Sequence, residues 1–123
     1  DKYNLDHETA LKVSCSFGGG IGRTKEVCGA VCAMSIIAGL ETGDTDPDNI
    51  EAKQNNYEVM RYLIREFDKE NGSIYCKELT SLELEDGYGF TKIQEKEGYY
   101  YQKKPCIEYV ADAARILSKQ FVD

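Results

Sequence analysis

Residues 25–42, KEVCGAVCAMSIIAGLET, are the stretch whose reading decides the fold. Val27, Ala30, Val31, Ala33, Met34, Ile36, Ile37, Ala38 and Leu40 cover nearly the whole circumference of a helix. A helix that is apolar all round belongs in an interior. Residues 25–42 therefore predict a buried central helix, closed by Gly43.

Amphipathic partners lie on both sides. Upstream, Asp6 can cap a helix through HETALKVSCSF, with Leu11 and Cys15 on one face. Gly18-Gly19-Gly20 ends it, where positive φ costs little. Downstream, TDPDN is a turn, and a third helix runs from 47 or 48 to Glu70. Tyr57, Met60, Leu63, Ile64 and Phe67 form its inner stripe, and Asn71-Gly72 stops it. A short helical turn follows Cys76. Alternating β-favouring residues predict a small hairpin near 90–102. Pro105 then opens a last helix with Ile107, Val110, Ala111, Ala114, Leu117 and Phe121 on its inner stripe. The expected fold is all-α: one mostly helical domain over 1–123, with the second helix inside.

The 123 residues suffice for one domain with its own core. Acidic residues outnumber basic ones, 22 to 15, for a net charge of −7. That balance argues against nucleic acid and anionic lipid as partners. No apolar run reaches the ~20 residues that span a bilayer, so no membrane insertion is expected. Nothing reads as an export leader, so a cytoplasmic, reducing setting is expected. The chain begins with Asp1 rather than Met, so further sequence upstream is expected.

Five cysteines cannot all pair within one chain. In a reducing compartment, clustered thiols bind metals or carry redox chemistry more often than they form structural disulfides. Cys28 and Cys32 stand one helical turn apart and face the same neighbour. Cys28 falls in the first turn of the predicted helix, where amides and dipole favour a thiolate. Gly29 and Ala30 leave room beside it. Cys76 and Cys106 each sit at a predicted helix start with lysine nearby, which also lowers a thiol pKa. Cys28, Cys76 and Cys106 are thus the candidate redox thiols. With Cys32 they are also the candidate metal ligands. Cys15 and Cys32, inside apolar stripes, read as small core hydrophobes ahead of any functional role.

Soft thiolates suit an iron–sulfur cluster, which takes four cysteines, and also zinc or copper(I). The close Cys-x-x-Cys pairs usual for zinc are absent. His7, the only histidine, stands far from any cysteine, which argues against c-type haem and against Ser/His/Asp hydrolysis. SFGGGIGRTK is no phosphate loop: a helix precedes it, and Arg23 stands where a glycine is required. Its Gly19 and Gly20, with Gly29, are expected to wall the thiol or cofactor site.

FGGGIGR, then Cys28-Gly29-Ala30, then Cys76 after a long amphipathic helix, then Cys106 before the last helix: this order resembles the C_GCAxxG_C_C family. Its members are small bacterial and archaeal redox-type proteins with four signature cysteines. The resemblance spans essentially the whole chain. It implies that Cys28, Cys76 and Cys106 match the second, third and fourth signature cysteines. The first belongs on an upstream helix that these 123 residues are expected not to include, and Cys15 is not its equivalent. Ala33 replaces the last glycine of the motif, and Cys32 is additional. The family is similar to a domain of split-Soret cytochromes, which implies an iron–sulfur site and homodimerisation without the haem-binding part. A redox partner is implied but not identified. Two other readings stay open: a zinc or copper module, and a non-catalytic helical interaction protein.

Overall fold

The computed structural model describes residues 3–80 and 106–122. Its helices are α1 (His7–Cys15), α2 (Gly29–Thr42), α3 (Ile50–Asn71), α4 (Cys76–Thr80) and α5 (Cys106–Phe121). The chain is an all-helical bundle, and the described residues hold no sheet beyond one isolated bridge. No described helix is long and apolar enough to cross a membrane. The expected hairpin near 90–102 and Pro105 fall outside the described residues.

The Asp6 carboxylate accepts the Thr9 N–H at 3.2 Å and caps α1 as expected. Those Thr9 hydrogen bonds hold the Asp6 carboxyl below its ordinary pKa. α1 buries none of its residues, so Leu11 and Cys15 are exposed. The core reading of Cys15 is therefore corrected: a nine-residue helix with so few apolar side chains has no stripe broad enough to dock.

α2 starts at Gly29 rather than at Lys25. Arg23 and Lys25 both have φ of 64°, which no right-handed helix accommodates. α2 supplies Ala30, Val31, Met34 and Ala38 to the core, while Ser35, Gly39 and Leu40 form an exposed outer edge.

α3 is capped by Asn49, whose Oδ1 accepts the Ala52 N–H at 3.1 Å. It ends at Gly72, in the left-handed region at φ 86°. Leu63 and Phe67 are wholly buried, and Met60 and Ile64 pack beside them. Tyr57 is exposed instead, and Val59 joins the core. α3 touches both α2 and α5, and α2 touches α5. Asn56 Nδ2 fastens α3 to the end of α2 by donating to Ala38 O at 3.2 Å and Thr42 Oγ1 at 2.8 Å.

α5 packs by a different face than its aliphatic residues suggest. Tyr109, Asp112 and Ala113 are buried, with Ile116, Leu117 and Phe121 partly so. Ile107 and Val110 are exposed, as are Ala111 and Ala114. Two polar groups make the rotation affordable: Tyr109 Oη donates to Leu79 O at 2.8 Å, and Arg115 donates to Asp112 at 2.5 Å and to Glu70. The Tyr109 ring packs against Phe67, centroids 6.2 Å apart.

Phe67 joins α3 to this face of α5 with no exposed surface. Phe67→Ala should lower the unfolding free energy by about 3–5 kcal/mol, measured by urea denaturation. Tyr57→Ala, at an exposed site, should change it by roughly 0.5 kcal/mol or less.

Candidate functional site

The site begins with backbone pairing. Val27 and Tyr75 form the isolated antiparallel bridge. The Cys28 N–H donates to Ile74 O at 2.7 Å, and the Cys76 N–H to Glu26 O at 2.6 Å. Side chains alternate along extended backbone, so Cys28 and Cys76 share the face opposite Val27 and Tyr75. Cys28 is the N-cap position of α2, and Cys76 is the first residue of α4. Ser73 shapes the approach: its Oγ donates to Glu78 Oε1 at 2.5 Å and accepts the Tyr75 N–H at 3.0 Å. The Tyr109–Leu79 bond then ties α4 to α5, whose first residue is Cys106.

The glycine loop forms the opposite wall. Gly19, Gly20, Ile21, Gly22 and Arg23 all have φ between 60° and 72°, a run of left-handed backbone. Ile21 is β-branched and strained there. The turn is held by its own amides: Gly22 N–H to Ser16 O at 2.8 Å, Lys25 N–H to Gly19 O at 2.9 Å and Glu26 N–H to Gly20 O at 3.0 Å. Gly20 lies directly against the site. A Cβ on it would stand 2.6 Å from Cys76 Cβ and 2.8 Å from Lys25 Cα. A Cβ on Gly29 would stand 2.6 Å from Phe17 O, so the loop and the start of α2 meet backbone to backbone.

Cys28, Cys76 and Cys106 line one cleft of about 450 Å³. Gly19, Gly20 and Gly29 line it too. Phe17, Ala30, Ala33 and Val110 add apolar wall, and Arg23 and Lys25 bring positive charge. Cys32 is not part of this lining; it stays half-buried on α2 one turn beyond Cys28. Cys15 is exposed outside it. All five cysteines are free thiols.

The thiols are harder to ionise than their helix-start positions suggest. Burial pushes the Cys28 thiol up, against the pull of the Ala30 and Val31 amides. Burial and then Cys28 push Cys106 up, against Lys25. Burial and then Cys28 also raise Cys32. The expected lowering is thus overturned at Cys28 and Cys106, because desolvation outweighs the helix terminus and the cation.

Lys25 was not visible as a site residue in the sequence. Its side chain is only 2% exposed. Burial lowers its pKa, Cys76 pushes it back up, Arg23 lowers it, and Cys106 raises it. Tyr109 is the second missed neighbour: burial raises its hydroxyl pKa, followed by Cys106 and Cys28. The only sequence signal for Lys25 and Arg23 was their place beside the FGGG motif.

Among the described residues, no three His, Cys, Asp or Glu side chains are grouped to hold a metal ion. The residues that face a common space are Cys28, Cys76 and Cys106, but this arrangement is not a ready ligand cage. A family model described as "Putative redox-active protein (C_GCAxxG_C_C)" matches residues 1–120. The chain belongs to the C_GCAxxG_C_C family. No curated protein and no solved structure matches it. Its family membership thus supports a redox-active role in general, and the cleft brings the motif cysteine Cys28 together with two later cysteines of the chain.

Two outcomes follow from this geometry. Gly20→Ala should destabilise the fold by about 3 kcal/mol or more, because it adds both left-handed strain and a clash. Gly22→Ala, at φ 60° with nothing within 4 Å, should cost only about 1–2 kcal/mol by thermal melting. The second concerns pH. A raised pKa leaves less thiolate in the native chain than in the unfolded chain at any pH below the raised value. The pH–rate midpoint for iodoacetamide labelling of Cys28 and Cys106 should therefore lie above the ordinary 9.0 in the native protein and move down in urea.

Proposed function

We propose that the chain is a redox-active protein that works through a dithiol/disulfide couple, with Cys28 and Cys106 as the pair and Cys76 as the third thiol of the cleft. The observation that carries this reading is the convergence itself. Three cysteines from separate elements line one space, among apolar walls and two cations. Cys28 and Cys106 are half-buried and within electrostatic reach of each other, whereas Cys76 is buried. A couple needs two thiols that meet and one that a reagent can reach. Such a couple persists in the reduced state in a cytoplasmic setting, consistent with the free thiols. An iron–sulfur cluster on Cys28, Cys76 and Cys106 is the competing reading, supported by the softness of the donors.

The test is thiol counting with metal analysis on anaerobically purified protein. Mild oxidation should remove two thiols, reversibly with dithiothreitol. Peptide mapping should place the bond between Cys28 and Cys106, and Cys28→Ser or Cys106→Ser should abolish it. Cys15→Ser should leave it unchanged. Stoichiometric iron and acid-labile sulfide with a visible chromophore would instead establish the cluster. Serine variants that alter stability alone would leave only a packing role.

A further inference from the structure

Cys32 lies outside the cleft, yet it is tied to the cleft's central thiol. Its N–H donates to Cys28 O at 3.1 Å, one of the two bonds that open α2. Helical side chains lean toward the N-terminus, so Cys32 covers the turn that begins at Cys28. A regular helical pair four residues apart holds its Cβ atoms about 5–6 Å apart, too far for a disulfide. Cys28 escapes that spacing: its ψ of 133° takes its Cβ out of helical register, and the Ala30 and Val31 amides act on its sulfur. That sulfur therefore sits over the open end of α2, on the side toward which Cys32 leans. Cys106 approaches it from α5, across the cleft. Burial and then Cys28 raise the thiol pKa of both Cys32 and Cys106, so Cys28 is the neighbour the two have in common.

From this placement we infer that Cys28 is a shared sulfur, which passes its disulfide from Cys106 in the cleft to Cys32 on α2. The inference rests on the redox reading above and adds Cys32 to it as an exchange thiol. Cys32, as its thiolate, attacks Cys28 Sγ of the Cys28–Cys106 disulfide. The Cys28–Cys32 bond forms and the bond to Cys106 breaks. Cys106 leaves as the thiolate and takes up the proton that Cys32 gave to solvent. No electrons enter or leave the chain, so the step needs no further oxidant. Its outcome is a cleft in which Cys106 and Cys76 are again free thiols, with the disulfide held on α2.

Peptide mapping separates the two bonds. Trypsin cuts after Lys25 and Lys53, so Cys28 and Cys32 share one peptide, and Cys106 lies on another. The intact chain is oxidised with diamide, which takes up the two electrons and two protons, and excess reagent is removed. Acid-quenched samples should then show the Cys28–Cys106 crosslink giving way in part to a Cys28–Cys32 loop, at an unchanged count of free thiols. The loop should reach at least about a tenth of the oxidised chain and then hold steady. Cys106→Ser, checked for folding by circular dichroism, should form the same loop with diamide. A crosslink that persists alone in the intact chain would overturn the inference, and so would a folded Cys106→Ser that forms no loop. In either case the Cys28–Cys106 bond and the redox reading would still stand. If the intact chain forms no Cys28–Cys106 bond, the redox reading falls and takes this inference with it.

Discussion

Two backbone hydrogen bonds hold the rest of the site together. Cys28 N–H to Ile74 O and Cys76 N–H to Glu26 O join segments nearly fifty residues apart. Each is worth only about 0.5–1.5 kcal/mol net. Their effect is geometric. They fix where α2 begins, where α4 begins, and on which side of the bridge both thiols stand. Without the bridge, residues 25–28 could extend α2 backwards, with Val27 continuing its apolar face, and Cys28 would turn with the helix. The bridge makes it an N-cap residue instead.

The glycine loop answers the demand this creates. Bringing two helix starts together leaves a gap that an ordinary loop would fill with side chains. The left-handed run from Gly19 to Arg23 fills it with backbone. Gly20 approaches Cys76, and Gly29 approaches the Phe17 carbonyl, at distances that allow no Cβ. Strain at Ile21, Arg23 and Lys25 is the cost of reversing the chain so tightly. It is offset by the loop's internal hydrogen bonds and by burial of the Lys25 stem. The same constraint delivers both cations to the thiols.

Much of this was legible in sequence, for reasons that can be separated. The helices follow local signals: the Asp6 carboxylate, the Gly72 stop and the 60-63-64-67 stripe act within a turn or two of chain. The thiol positions followed from the motif order. Most of the misreadings involve groups whose place depends on partners outside their own turn of chain. Lys25 looked like the first residue of a helix because nothing local announces its positive φ. Tyr109 and Asp112 stood outside the stripe drawn through Ile107, Val110 and Ala114. Their partners, Leu79 O for one and Arg115, itself bonded to Glu70, for the other, make their side the buried one. Cys15 looked like core because a stripe was drawn through a helix with too little apolar surface to dock.

The electrostatics of the cleft set how such a site can behave. Burial keeps Cys28 and Cys106 protonated, so the pair is not a standing nucleophile. The α2 amides and Lys25 oppose that effect, and do so from fixed positions. A buried, protonated dithiol is slow to be oxidised at random, because the thiolate and not the thiol is the nucleophile. Whatever oxidises the pair must therefore enter the cleft and meet it where the α2 amides and Lys25 favour the thiolate.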